Sequence, residues 1–369
     1  MWVFFHVTKG RGIPSHPECH VLQARKWIGQ MGGFQIQITS MNRKTLSLLL
    51  PLLVGALVVS ALWAAPDAPK RKILFFTKSS GYEHSVISWK KGQPSWAEKT
   101  LLELGAQNHW EFTFSKDGSK FSKDYLSQFD VVMFYTTGDL CSPGTDGQPP
   151  MTLEGKQALF DYIKSGKGFV GTHSASDTFH TANESQKGPD RYANHGEKAD
   201  AYVRFLGAEF IKHGAQQEAK NTVIDPAFPG FAKVGNDFSF MEEWYSLKDF
   251  TPDLHVLTVM DAPAMKGDEY KRPPYPNTWA RKEGDGRVFY TSMGHREDVW
   301  TNPIFRDILT GALRWAAGDV KAEIPANVKE VAPGAWTNPP YVEPKPKPAA
   351  SPAKQPAKKT AASPSTAAR

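Results

Sequence analysis

Cysteine is nearly missing from this chain. Its 369 residues hold two, Cys19 and Cys141, which excludes a disulfide framework and a thiolate-rich metal cluster and leaves the fold to be held by its core. Cys141 follows an apolar run, where a nucleophile can sit. Its neighbours Ser142, Pro143, Gly144 and Thr145 read as a loop, however, with no histidine nearby, and this speaks against catalysis. Apolar runs of membrane-spanning length are lacking too. The one from Leu46 to Leu62 is roughly 17 residues and is interrupted by Pro51, short of the ~20 that a spanning helix needs. Within 66–340 no His-x-x-x-His spacing occurs, and the chain has no internal repeat. A basic face is also lacking once the ends are set aside. The chain has 44 basic and 38 acidic residues, and residues 1–65 and 341–369 each carry six basic against one acidic, so 66–340 keeps 32 and 36. A nucleic-acid surface on the folded body is thereby excluded.

The ends read as segments outside the fold. Met41-Asn42-Arg43-Lys44 is basic, the apolar run follows, and Ser60, Ala61, Ala64 and Ala65 precede Pro66. That three-part pattern predicts a signal peptide over 41–65 and a secreted or periplasmic protein with no membrane span after cleavage. No cysteine follows the run, which disfavours a lipoprotein. Residues 1–40 have no clean periodicity, and translation beginning at Met41 would account for them. At the other end, 341–369 is almost wholly Pro, Ala, Lys, Ser and Thr, a composition that cannot offset its ordering entropy. It is predicted to be a disordered tail whose charge suits contact with an anionic cell envelope. Between the ends lie a single domain over 70–320 and a C-terminal extension over 321–340.

Within that domain the order of elements predicts an α/β fold. Arg71 to Thr77 is a charged edge running into Ile73-Leu74-Phe75-Phe76, and Asp130 to Tyr135 holds another unbroken apolar run. Both suit strands buried on two faces of a parallel sheet. Helices are expected from Pro94 to Gly105, from Leu153 to Ser165 with Gly166 as cap, over Ala199 to Leu206, and from Pro303 to Ala317 with Gly318 as stop. Trp110 to Phe114 reads as a more exposed strand, and Phe210-Ile211, Thr222 to Ile224 and Leu254 to Met260 as further ones. Glu283-Gly284-Asp285-Gly286 between Trp279-Ala280-Arg281 and Arg287 to Thr291 is a hairpin signature. Thr178 to His195 reads as an irregular insertion. The alternation predicts a doubly wound, mostly parallel sheet with helices on both faces, of the flavodoxin-like type.

The stretch around which these elements are arranged is Lys167 to Asp177. A short apolar strand, Gly168-Phe169-Val170-Gly171-Thr172, breaks into His173-Ser174-Ala175-Ser176-Asp177. In an open α/β sheet this turn lies at the carboxyl edge, where ligands bind. It has the layout of a nucleophile elbow, with histidine where serine or cysteine would stand.

Taken together, the segments Phe76 to His84, Gly168 to Thr178, Leu206 to Phe210, Glu242-Glu243-Trp244-Tyr245, Gly286 to His295 and Gly311 to Gly318 resemble the trehalose-utilisation (ThuA-like) family of the class I glutamine amidotransferase-like superfamily. The resemblance runs over roughly 71–318, in order. It implies a flavodoxin-like, class I glutamine amidotransferase-like domain acting on a small-molecule carbohydrate, in the breakdown of trehalose or a related disaccharide, on an oxidised (keto) sugar. Relatives often carry His-Pro pairs where this chain has His213-Gly214 and Asp225-Pro226, and an Asp or His where it has Asn277 and Thr278. In the superfamily an elbow cysteine works with a later histidine and glutamate. Here His173 holds the elbow, and His295 with Glu297 echoes the later pair.

Without an elbow nucleophile, glutaminase chemistry is excluded. A histidine there suits proton transfer near neutral pH, and His84, His173 and His295 all leave strands at turns that should converge. Glu243, beside Trp244 and Tyr245, is expected to have a raised pKa and to donate protons. The catalytic candidates are therefore His173, Glu243 and His295, with Glu297 or Asp298 able to orient His295. The substrate-binding candidates are His84, Asp177, Tyr245 and Trp279. Three readings stay open: acid–base catalysis with His173 and Glu243 as the proton-transferring pair, a non-catalytic carbohydrate-binding module, and a metal-dependent hydrolase. In the last, His84, His173 and His295 would hold zinc or another divalent ion. No cofactor is required by the first two. His180, His195 and His213 are weaker candidates.

Overall fold

The computed structural model of the chain describes residues 70–181 and 188–343. The expected leader, the residues before it and most of the tail lie outside the described residues. The chain divides into two units, Met1–Ala68 and Pro69–Arg369, and every described residue belongs to the second.

The strands are β1 (Arg71–Phe76), β2 (Trp110–Ser115), β3 (Val131–Phe134), β4 (Gly168–Thr172), β5 (Glu209–His213), β6 (Gln217–Val223), β7 (Asp237–Glu242), β8 (Tyr245–Lys248), β9 (His255–Met260), β10 (Tyr275–Glu283) and β11 (Gly286–Thr291). The α-helices are α1 (Trp96–Asn108), α2 (Lys123–Leu126), α3 (Leu153–Lys164), α4 (Ala201–Leu206), α5 (Glu297–Thr301), α6 (Pro303–Ala317) and α7 (Val328–Val331). Nine strands form one sheet in the order β2-β1-β3-β4-β11-β10-β9-β6-β7, and β5 pairs with β8 in a second. The first five are mutually parallel. From β11 onward each pairing is antiparallel, so only β10 and β6 run against the rest.

The parallel half forms where the sequence is apolar on both faces. Ile73 to Phe76 and Val131 to Phe134 are wholly buried, because helices cover both sides. Two glycines locate those helices. A Cβ on Gly168 would meet Ala316 O of α6 at 2.4 Å, and one on Gly286 would meet Ile163 O of α3 at 2.1 Å. Gly168 stands opposite Arg287 in the register, so Gly286 faces the other way and the two helices lie on opposite faces. Only glycine permits such close packing of helix on strand.

Several boundaries differ from the sequence reading. Helix α1 begins later, at Trp96, because Ser95 and Glu98 form a capping box, and it runs through Gly105 to His109, whose left-handed φ of 57° ends it. Gly105 instead lets the backbone pass close to Trp110 and Phe112. β7 and β8 were not foreseen as strands. The extension packs on the domain: Val328, Ala332 and Ala335 are buried, Trp336 Nε1 donates to Phe250 O at 2.8 Å, and Asn327 Oδ1 accepts from Val256 N at 2.7 Å. Among the described residues, no helix is long and apolar enough to cross a membrane.

Candidate active site

Parallel strands exit at one end, and this brings the histidines together. His84 follows β1, His173 follows β4 and His295 follows β11. Glu243 comes after β7, which runs in the same sense. One ligand atom from each of these four residues lies within 4.8 Å of all the others.

His173 sits in the left-handed region, with φ 43°. A non-glycine residue there costs on the order of 1–2 kcal/mol, so the surroundings must hold it. Tyr290 Oη donates to His173 O at 2.7 Å, and the Ser176 hydroxyl lies 2.8 Å from Tyr290 Oη. The imidazole is inaccessible to solvent, with the Tyr245 ring 4.2 Å away between centroids. His173 Nδ1 lies 2.9 Å from Ser292 O. A carbonyl only accepts, so Nδ1 carries a proton, and in the neutral ring Nε2 is the lone-pair nitrogen that faces the cluster. That atom stands 3.3 Å from His295 Nδ1 and 3.6 Å from Glu243 Oε2.

His295 and Glu243 are both set by Glu242. This carboxylate is fully buried. Its Oε2 accepts from Gly294 N at 2.9 Å and His295 N at 3.1 Å, while Oε1 accepts from Glu243 N at 2.7 Å. Burial raises its pKa against the pull of His173 and these amides. Tyr135 Oη and Trp300 Nε1 donate to Gly294 O at 3.2 and 2.8 Å, pinning the turn from its other side.

Glu243 reverses its expected electrostatics. Burial pushes its carboxyl upward, but hydrogen bonds and charge from His173 and His295 outweigh that and hold it well below the usual carboxylate range. It is an ionised acceptor, not a proton donor. Oε2 lies 3.1 Å from His295 Nδ1. Burial lowers the His295 pKa, but Glu243 raises it further, so the net direction is up. His84 goes the other way: burial and the neighbouring histidines keep it well below its ordinary value. Its Nδ1 is buried without a hydrogen-bond partner, and its Nε2 lies 3.5 Å from Tyr245 Oη.

A cavity of about 420 Å³ opens on this cluster, walled among others by Tyr82, His84, Asp177, His213, Glu243 and Tyr245. His213 Nδ1 lies 3.0 Å from Gly214 O and 3.3 Å from Glu243 Oε1, two acceptors that fix its proton on that nitrogen. Sequence reasoning rated His213 low because it lies after the insertion and stands in His213-Gly214 where relatives carry His-Pro; the β5–β8 pairing that sets it opposite Tyr245 has no local signature. Asp177 lines the cavity and is held by His180 Nε2 at 2.7 Å and Arg191 at 3.4 Å.

Trp279, expected among the substrate-binding residues, is in the core. It is inaccessible, its Nε1 donates to Leu206 O at 2.8 Å, and its ring packs on Tyr290 at 4.5 Å. Nor does Glu297 or Asp298 orient His295. Glu297 begins α5 and approaches Ser85 at 3.4 Å, while Asp298 grips Arg296 at 2.8 and 2.9 Å. Glu242 and Glu243 take that role.

A larger cleft of about 660 Å³ lies elsewhere, between Phe205, Pro252 and Trp336. It shares no residue with the histidine cluster, and Arg281 on its wall is already paired with Asp253 and Glu283. Size here does not follow chemistry.

An α/β domain with a histidine at the elbow and a three-histidine, one-carboxylate cluster at the carboxyl edge of its strands defines the class. The family model described as trehalose utilisation (ThuA) matches residues 72–316, and the chain belongs to that family. Among solved structures it is similar to a ThuA-like protein from Bacteroides uniformis at 18% identity, covering 69% of this chain and 95% of that one with a TM-score of 0.49. Another ThuA-like protein, from Parabacteroides merdae, matches at 17% identity, 74% and 98% coverage and a TM-score of 0.47. A β-galactosidase from Bacillus circulans matches at 13% identity over 68% of this chain and 31% of its own, with a TM-score of 0.39. No curated protein matches the chain.

Proposed function

We propose that this protein is a sugar-active enzyme using a divalent cation of the zinc type, held by His84, His173, His295 and Glu243, and that its substrate is a disaccharide or related sugar carrying a ketone. The observation that carries the cation is a spacing. Ligand atoms around a tetrahedral zinc with bonds of about 2.0–2.1 Å stand about 3.3 Å apart. The three separations among His173 Nε2, His295 Nδ1 and Glu243 Oε2 are 3.3, 3.1 and 3.6 Å. The fixed His173 tautomer supports the same reading, because metal-binding imidazoles donate their other N–H to a carbonyl or carboxylate. So does the unpartnered, buried Nδ1 of His84. The trehalose-utilisation family supports a sugar as ligand.

Held by His84, His173, His295 and Glu243, such a cation would supply Lewis-acid polarisation of a carbonyl oxygen. The chain's own residues then do the proton work. A ketone acidifies the adjacent C–H, and His213, with its Nδ1 proton fixed, offers Nε2 as the base. The C–H electron pair moves into the carbonyl as an enolate. Returning the proton to the neighbouring carbon isomerises the sugar. Alternatively the enolate pair expels a glycosidic oxygen β to the ketone, which takes the proton back from His213 and leaves as an alcohol. Glu243, held ionised, serves as ligand in this scheme and not as the acid.

A second reading is favoured by the raised pKa of His295 beside Glu243: a metal-free site in which His173 Nε2 is the base and imidazolium His295 the acid. Metal analysis of the purified protein, with turnover of a keto-disaccharide before and after chelation, separates the two. One bound cation per chain and turnover lost on chelation are expected. Full turnover without metal leaves the proton-transfer pair, and tight binding with sugar recovered unchanged leaves a binding module.

The parallel half with its elbow also fits a doubly wound unit of the class I glutamine amidotransferase-like type. Export belongs to the same proposal, and N-terminal sequencing of protein recovered outside the cytoplasm tests it, with a start near Pro66 expected.

A further inference from the structure

We infer that the cavity over the histidines is the inner half of a two-ring groove, whose outer half is built around Trp96 and takes the second ring of an uncharged disaccharide. The inference rests on the sugar reading above and extends it to the size and charge of the ligand. A second cavity, of about 460 Å³, adjoins the first: His295 and Gln216 wall both, and Trp96, Arg296 and Asp298 wall the second. Each volume lies near the low end of the ~300–1,000 Å³ typical of small-molecule sites, and the two meet at His295 and Gln216.

Trp96 supplies a stacking platform. It is the first residue of α1, and the capping box beneath it fixes the backbone. Its Nε1 donates to Glu297 O at 2.9 Å, tying the indole edge to α5, yet the residue keeps 44% of its surface exposed. A ring held at its polar edge and open on an apolar face suits the C–H face of a pyranose.

The same cavity is also walled by a polar assembly. Arg296 Nε and Nη2 donate to Asp298 Oδ1 and Oδ2 at 2.9 and 2.8 Å, and Nη1 donates to Gln216 Oε1 at 2.6 Å. This sets donors and acceptors side by side, as recognition of neighbouring hydroxyls requires. Its charge is also spent internally. Glu297 and Asp298 flank the one guanidinium, and the inner cavity adds the carboxylates of Glu243 and Asp177. A phosphate or carboxylate on the second ring would find no surplus cation in the outer cavity, whereas a neutral ring needs none.

The test measures binding of trehalose and of glucose, each with one ring hydroxyl oxidised to a ketone, to the metal-loaded full chain by calorimetry, alongside turnover. Two rings should bind at least tenfold more tightly than one. Trp96→Ala should erase that margin through KM, leave single-ring binding within twofold and keep kcat, and Trp96→Phe, which preserves an aromatic face, should restore most of it. Equal affinity of the wild-type chain for one and two rings would overturn the groove while leaving the sugar reading intact. An equal loss of both ligands in Trp96→Ala would do the same, as would tighter binding of the phosphorylated disaccharide. Binding of neither sugar by the wild-type chain would overturn both.

Discussion

Two clusters among the described residues bring ligand-type atoms within 4.8 Å of one another: His84, His173, Glu243 and His295 in one, and His195, Glu209 and Asp249 in the other. By spacing alone they are equals. The second, however, already contains its cation. Lys248 Nζ, inaccessible to solvent, lies 3.3 Å from His195 Nδ1, 3.8 Å from Glu209 Oε2 and 3.7 Å from Asp249 Oδ2, and donates to Ala193 O at 3.0 Å. Around it, His180 bridges Glu209 and Asp177 at 2.8 and 2.7 Å, and Asp249 Oδ1 accepts from Gly196 N at 2.8 Å. That network fastens residues 189–200 to the β5–β8 pair. Among the described residues no lysine or arginine is hydrogen-bonded or ion-paired to the first cluster, whose ligand-type atoms face one another. Ligand geometry is shared; what differs is whether the protein supplies the charge.

The comparison is tested by exchanging losses. His295→Ala should lose the bound cation and at least 10³-fold of turnover, about 4 kcal/mol of transition-state stabilisation, while its urea midpoint moves little because Glu243 keeps His173 and His213 beside it. Lys248→Met should do the reverse. It strands two buried carboxylates, and breaking a buried ion pair costs about 3–5 kcal/mol, read as a lower urea midpoint with metal content unchanged. If Lys248→Met released the cation, or His295→Ala kept both cation and turnover, the distinction between the clusters would be lost.

The first cluster was largely legible in the sequence and the second was not. His84, His173 and His295 follow apolar strands through glycine-marked turns, so a parallel sheet predicts their meeting. The strands β1 and β3 could be read because burial on both faces leaves an unbroken apolar run. β7 and β8 could not. β7 is an edge strand with exposed Asp237, Ser239 and Met241, and β8 buries a lysine, which no propensity scale favours. Adjacent Glu242 and Glu243 are alike in sequence, and only the fold shows which one faces backbone amides and which faces imidazoles. Trp279 failed as a site residue for a similar reason, since an aromatic beside a motif does not reveal which way it points.

Glu242 sharpens the contrast at smaller amplitude. It contacts no reacting atom and acts by positioning, since its two oxygens hold the amides of Glu243, Gly294 and His295. Glu242→Gln turns an N–H₂ toward at least one of those donors. Supporting residues behind metal ligands are worth roughly 10–100-fold in affinity. The expected outcome is a cation Kd weakened by that factor in a chelator competition, with kcat largely recovered at saturating metal. A purely structural role would lower the urea midpoint and leave Kd alone.

The smallest effect concerns pH, and it belongs to the second cluster. Both ring nitrogens of His180 face carboxylates, so the imidazolium is the form that satisfies them. Burial opposes this charge, but Asp177 and Glu209 outweigh both burial and Arg191, and the pKa is raised above its ordinary 6.5. Its stabilisation is therefore complete below about pH 6.5 and lost as pH rises through the folded-state value. Glu209 has the opposite sign: burial raises it, but His180 and Lys248 bring it below 4.5, so its contribution is present above about pH 4.5 and lost as pH falls through the folded-state value. Together they place the firmest anchoring of the insertion between those two limits. With cation saturating, the urea midpoint should decline as pH rises from about 6.5 through the raised folded-state value, with unchanged slope m. His180→Gln should flatten that decline while leaving metal content intact. A decline of equal size in His180→Gln would mean that the titration lies elsewhere, and that the second cluster's protons are not what separates it from the first.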